Sequence, residues 1–205
     1  MIYMIEISEK EFLSGKHDTL IIDELAKDNL IIFPSESSYG FAGCANKTTV
    51  CEKIHKTKKE DYSKPVGLIV DDANKIEDHL HLGEKGKKLL ETKFKAPLTV
   101  LFKKKMDHPS TSNNYLGIRI PFNKTALKLC SFHDHALTAP SANLHGNPAI
   151  YSPIEIKKYF GKTDFVFINA GELKTRAPST YYHFEDNTIL RAGEISLPEI
   201  EKVLK

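Results

Sequence analysis

Directly after the apolar run "NLIIF" comes "PSESSYG" (Pro34–Gly40), which sets three serines, a glutamate and a tyrosine within seven positions. Short hydroxyl residues fill a core poorly, and clustered at the end of a buried run they are suited to holding a small polar ligand. Four further segments carry the same kind of chemistry. "KTKKEDYSKP" (Lys56–Pro65) concentrates ammonium groups, and "GIRIP" (Gly117–Pro121) sets an arginine inside an apolar run. "APSANLHG" (Ala139–Gly146) repeats the Pro, Ser and Asn theme, as does "APSTYY" (Ala177–Tyr182), which is followed by "ILRAGEI" (Ile189–Ile195). Ammonium and guanidinium groups beside hydroxyls and an amide suit a substrate that carries phosphates and a carboxylate. Lysine is abundant, whereas the arginines are Arg119, Arg176 and Arg191 alone. Two-pronged contact with an anion requires arginine, so each of the three is a candidate. Taken singly, every one of these segments also reads as a turn, a helix cap or a solvated charge run.

These segments must be positioned by the elements between them. Apolar, β-branched runs predict strands at Leu30–Phe33, Val66–Val70, Leu98–Phe102, Leu116–Ile120, Phe165–Ile168 and Thr188–Leu190. Helical periodicity falls at Asp18–Lys27, Lys47–Lys58, Asp72–His79, Gly86–Thr92, Lys124–Phe132 and Pro153–Phe160, with a last helix over Ser196–Leu204 capped by Ser196. Strands interleaved with helices predict an α/β or α+β protein. The polar segments stand at strand ends, where sites in such sheets lie. No repeat, low-complexity tract or flexible linker interrupts the 205 residues, which read as one domain.

Composition sets outer bounds. Hydrophobic content of 40%, charged content of 27% and a formal charge of +2 describe an ordinary soluble globular chain. The amino-terminal "MIYMIEISEKEF" lacks the pattern of a leader, and no apolar run reaches the ~20 residues of a membrane span. Cys44, Cys51 and Cys130 are too scattered for a disulfide framework and suit a reducing cytoplasm. "CSFHDH" and "HLH" bring histidines together without the second cysteine cluster of a zinc template. Neither a P-loop nor a GxGxxG pattern occurs, so bound phosphates need another grip.

Read in order, PSESSYG, KxxxxxKP, PLTV, GIRIP, PSANLHG, PST and LRAG resemble the YrdC-like family of threonylcarbamoyl-AMP synthases. That family's pattern runs PTETxYGL, KxRPxxKPL, PGPLT, GxRxP, SANxSG, ST and RxG, and the match extends from about Asn29 to Gly193. The resemblance implies a twisted mixed sheet flanked by helices around a basic concave cavity. It implies a nucleotidyltransferase that makes threonylcarbamoyl-AMP and pyrophosphate from L-threonine, bicarbonate and ATP, with Mg2+ accompanying ATP. Transfer proteins then pass the threonylcarbamoyl group to an adenosine of certain tRNAs. On the matching positions, Lys58, Lys64, Ser141, Asn143 and Arg191 are implied to hold ATP. Ser35, Ser37, Tyr39, Arg119 and Ser179 are implied to hold threonine, and Lys58, Arg119 and Ser141 stand closest to the reaction. Glu36 is expected to orient its neighbours rather than react.

Several positions depart from the pattern. The family's arginine in KxR falls on Glu60 and the next proline on Asp61, which sets a carboxylate beside the expected triphosphate. Lys56 or Lys59 is expected to swing in, or Glu60 to face solvent. Tyr115 stands where a small hydroxyl residue is common, and His145 replaces the second serine of SANxSG. A YrdC-like protein that binds RNA or nucleotide with weak or no catalysis is the rival reading. Near-neutral charge and the lack of an aromatic stacking motif weigh against RNA as sole ligand.

Overall fold

The computed structural model describes residues 3–205; Met1 and Ile2 of the amino-terminal stretch lie outside the described residues. Among the described residues, ten strands form two mixed sheets. The first has four strands, in the order β1 (Ile5–Ser8), β8 (Val166–Asn169), β2 (Ile31–Pro34) and β3 (Tyr39–Ala42). The second has six, in the order β10 (Thr188–Arg191), β9 (Thr180–His183), β5 (Leu98–Lys103), β6 (Tyr115–Arg119), β4 (Leu68–Ile69) and β7 (Leu137–Thr138). Isolated bridges, Gly40 to Ser141 and Cys44 to Leu137, stitch β3 to the β7 edge and join the two sheets.

The apolar pattern explains the layering. Along β2 every residue is buried, because the strand is covered on both faces. Ile31 and Phe33 pack with Phe12, Ile21 and Leu129, whereas Leu30 and Ile32 pack on the other side with Phe41, Ile54 and Phe160. This is the two-residue alternation of a strand, with α1 (Glu9–Leu13), α2 (Asp18–Ala26) and α5 (Lys124–Ser131) on one side and α3 (Thr48–Lys58) and α6 (Pro153–Phe160) on the other.

The six-stranded sheet is covered differently. Val100, Phe102, Leu116, Ile118 and Tyr182 turn toward α4 (Gly83–Glu91), α7 (Leu197–Leu204) and a 3-10 helix (Ala73–His79). At Gly86, α4 comes so close that a Cβ would lie 2.7 Å from the Phe102 ring. The residues between those core positions, Thr99, Gly117, Arg119 and Tyr181, are left for the opposite face, and that face lines the cavity described below. No helix among the described residues is long and apolar enough to cross a membrane.

Candidate active site

A cavity of about 450 Å³ opens at the seam of the two sheets. All five polar segments singled out from the sequence reach it, and its lining carries five cationic side chains, Lys58, Lys64, Arg119, Arg176 and Arg191, against one carboxylate, Glu60.

Strand alternation puts Arg119 there: Leu116 and Ile118 face the core, so the arginine at the end of β6 faces the cavity. Its side chain is about 10% exposed, and its Nη2 lies 3.4 Å from Glu36, whose side chain is about 1% exposed. The other Glu36 oxygen accepts the backbone N–H groups of Phe122 and Asn123 at 2.9 and 3.1 Å. Glu36 thus ties the hairpin turn of β2–β3 to the start of α5 and sets the guanidinium in place. The buried Arg119 Nε has no hydrogen-bond partner among the described residues, so the protein does not saturate the guanidinium.

Arg191 is fixed from two directions. Its Nη2 donates to both the backbone oxygen and the hydroxyl of Ser179 at 2.9 Å, and its guanidinium carbon sits 4.6 Å from the Tyr181 ring centre. Thr99 donates to the same Ser179 hydroxyl at 2.9 Å. The Tyr181 phenol lies against Gly67 and Gly117, where a Cβ at either position would approach it to 3.2 Å. Burial raises the Tyr181 pKa against the pull of Arg191 and Arg119, which keeps the phenol a hydrogen-bond donor.

The serine wall is divided in use. Ser35 donates its hydroxyl to Ser38 O at 2.7 Å and accepts from the N–H groups of Ser37 and Ser38, so it closes the β2–β3 turn. The Ser37 hydroxyl has no such duty among the described residues, and both serines line the cavity. Tyr39 does not. Alternation along β3 turns Gly40 outward and Tyr39 inward, where its ring packs edge-on to Phe167 and its phenol donates to Gly171 O at 2.7 Å. Burial pushes its pKa up to about 12. Tyr39 thus supports the wall from behind and does not itself line the cavity.

At the other end, Lys58 ends α3 with its ammonium buried against the "PSAN" turn. It donates to Ser141 O at 2.7 Å, Asn143 O at 3.0 Å and Asn143 Oδ1 at 3.5 Å. Burial lowers its pKa, opposed by the charge of Glu60. Asn143 does not itself line the cavity. Its Oδ1 also accepts the Ser141 hydroxyl at 2.5 Å, while its amide donates to Leu144 O at 3.1 Å and Asn147 O at 2.7 Å. Lys58 and Asn143 thus clamp the turn between them, and Ser141 lines the cavity together with Lys58. Lys64 is exposed at the rim, with its ammonium 3.0 Å from His145.

Neither way out foreseen for Glu60 is taken. Lys56 and Lys59 line a separate surface hollow beside Tyr159 and Lys162, and Glu60 lines the cavity with its side chain about 11% exposed. The reason is local. Lys59 caps α3 in the left-handed conformation, and the Glu60 N–H returns to His55 O, which lays Glu60 over the buried His55 at 3.5 Å. Tyr115 packs on His183 instead of reaching the cavity. Tyr181 and Thr99 also line the cavity without having been singled out, the alternation of β5 and β9 being the signal available for them, and Arg176 had been marked only by the rarity of arginine.

The chain belongs to the Sua5/YciO/YrdC family, described as telomere recombination, whose pattern matches residues 23–193. Within that family it is similar to the putative threonylcarbamoyl-AMP synthase of Methanocaldococcus jannaschii, with 29% identity over 204 residues covering 98% of this chain and 90% of that one. It is 31% identical over 180 residues to the threonylcarbamoyl-AMP synthase of Buchnera aphidicola, covering 84% of this chain and 95% of the relative. The fold matches Pyrococcus abyssi Sua5 solved with L-threonine at a TM-score of 0.81 and 24% identity, over 99% of this chain and 60% of that longer one. It also matches Escherichia coli YciO at a TM-score of 0.76 over 98% of each chain, with 17% identity.

Proposed function

We propose that the chain is a threonylcarbamoyl-AMP synthase, a nucleotidyltransferase that joins L-threonine, bicarbonate and ATP into threonylcarbamoyl-AMP and releases pyrophosphate. The observation that carries this reading is the meeting of all three arginines and every polar segment in one 450 Å³ cavity, inside the size range of small-molecule sites. Threonine belongs at the Arg119 end, its carboxylate on the guanidinium fork and its hydroxyl within reach of Ser37. ATP belongs against Lys64, Ser141 and Arg191, with the turn clamped by Lys58 and Asn143.

The amine of threonine and bicarbonate combine into a carbamate with loss of water, and a carbamate oxygen then attacks the α-phosphorus of ATP while the bond to pyrophosphate breaks on the far side. Such a displacement needs alignment and neutralised charge more than a protein nucleophile. Mg2+ enters as the chelate of ATP, and Glu60 is the one lining carboxylate that could face it. Passing the product to tRNA by transfer proteins, in the cytoplasm, completes the reading. Purified protein supplied with ATP, Mg2+, bicarbonate and L-threonine should release pyrophosphate; release that ignores threonine would overturn the assignment.

A further inference from the structure

Arg176 lines the cavity but matches no element of the family pattern given above. Its Nε and Nη2 donate to Glu194 at 2.6 and 3.3 Å, and Nη2 also donates to Lys95 O at 2.9 Å. Nη1 has no partner among the described residues. The guanidinium lies 6.0 Å from the Phe122 ring centre, and the Phe122 N–H is held by Glu36, the counter-ion of Arg119. Arg176 therefore stands at the amino-acid end of the cavity, one residue removed from the Arg119–Glu36 pair. Its hydrogen bond with Glu194, and more weakly the charge of Glu36, hold its pKa above the usual guanidinium value.

The charge at that end does not balance without it. Neutral threonine amine and bicarbonate give a carbamate and water (RNH2 + HCO3− → RNHCOO− + H2O): the nitrogen lone pair forms the N–C bond, and one oxygen leaves as water with two protons. The amino acid then carries two carboxylates. Arg119 is already half-neutralised by Glu36, Arg191 is committed to Ser179 and Tyr181, and the Lys58 ammonium is filled by the 141–143 turn. We propose, building on the synthase reading, that Arg176 receives the N-carboxylate of the carbamate, with Glu194 holding the guanidinium until that anion arrives. The Glu194 pair suits a placeholder, since both side chains are about one-third exposed, at 32% and 39%, where solvent screens their attraction and can take over either partner.

The test is calorimetric titration of L-threonine into the intact protein, with and without bicarbonate. Bicarbonate should tighten threonine binding to the wild type. Arg176→Ala should bind threonine alone as the wild type does, which also reports an intact fold, but lose roughly ten- to a hundredfold of the bicarbonate effect, the scale of a charged hydrogen-bonded contact. Arg176→Lys should keep part of the effect, and Glu194→Gln should enlarge it. A carbamate carbon signal from 13C-bicarbonate should appear with the wild type and vanish with Arg176→Ala. Full bicarbonate coupling in Arg176→Ala, an equal loss of threonine binding without bicarbonate, or a wild type whose threonine binding ignores bicarbonate would each overturn this role and leave the synthase reading standing. A wild type that binds no threonine at all would overturn the synthase reading itself.

Discussion

Replacing Glu36 by Gln tests whether the amino-acid end is built around a borrowed counter-charge. Glutamine keeps an oxygen for the Phe122 and Asn123 N–H groups but sets an amide against the Arg119 guanidinium at the 3.4 Å contact. With both side chains at or below 10% exposure, the arginine would be left buried without its partner. Breaking such a pair costs about 3 kcal/mol, at the lower end of the range for buried pairs. For a chain of this length that lowers the melting temperature by roughly 6 to 12 °C. L-Threonine should then rescue the variant, because its carboxylate supplies the missing anion and meets no repulsion from Glu36. The threonine-induced rise in melting temperature should exceed that of the wild type by roughly 2 to 4 °C, about 1 kcal/mol of extra binding. Thermal unfolding followed by circular dichroism, with and without threonine, measures both shifts. An unchanged melting temperature for E36Q, or a smaller threonine shift than in the wild type, would refute the reasoning.

Arg119→Ala should raise the threonine KM in pyrophosphate-release kinetics roughly a hundredfold while moving the ATP KM little; the reverse split would invert the division of the cavity. Glu60→Gln should tighten ATP binding, most of all in Mg2+-free buffer where the carboxylate faces bare phosphate, and weaker binding by calorimetry would show that Glu60 serves the nucleotide. Asn143→Ala removes the amide that holds Leu144 O and Asn147 O and one acceptor of Lys58, so urea unfolding should show about 1 to 3 kcal/mol lost; wild-type stability would contradict the clamp. Burial lowers the pKa of His108 from 6.5 to about 4, with His79 and Lys104 adding to the shift. The unfolded chain therefore binds a proton between those values that the folded chain refuses, and stability should fall by about 3 kcal/mol as pH drops from 6.5 toward 4. His108→Gln should flatten that acid limb in pH-dependent unfolding, and an unaltered slope would count against it.

Elements were legible where one physical signal dominated. The apolar runs at β2, β5, β6, β8 and β10 and the helices from α2 to α7 declared themselves by period and, for α7, by its Ser196 cap. The strands that escaped notice lack that signal. β1 reads "IEIS" with three exposed residues, β7 is two residues long, and β3 and β9 begin among the hydroxyl residues that also look like turns. The segment read as a helix at Asp72–His79 formed a 3-10 helix, with the Asp72 side chain accepting from Asn74 N at its start.

For the site, composition and order located the segments, but which face each residue presents depended on pairing that no local pattern reveals. Tyr39 and Gly40 are neighbours in sequence and separate by strand alternation into core and cavity. Lys58 and Asn143 lie 85 positions apart, and only the approach of α3 to the 141–143 turn converts two apparent phosphate ligands into a clamp on each other. Glu60 shows the opposite case. A carboxylate in place of an arginine looked like a defect in sequence, yet the left-handed cap at Lys59 holds it on the cavity wall over His55, next to the Lys58 it partly offsets. A carboxylate kept on the cavity wall beside Lys58 by backbone geometry, with Lys56 and Lys59 turned to another surface, is a feature of how this chain sets the charge of its cavity.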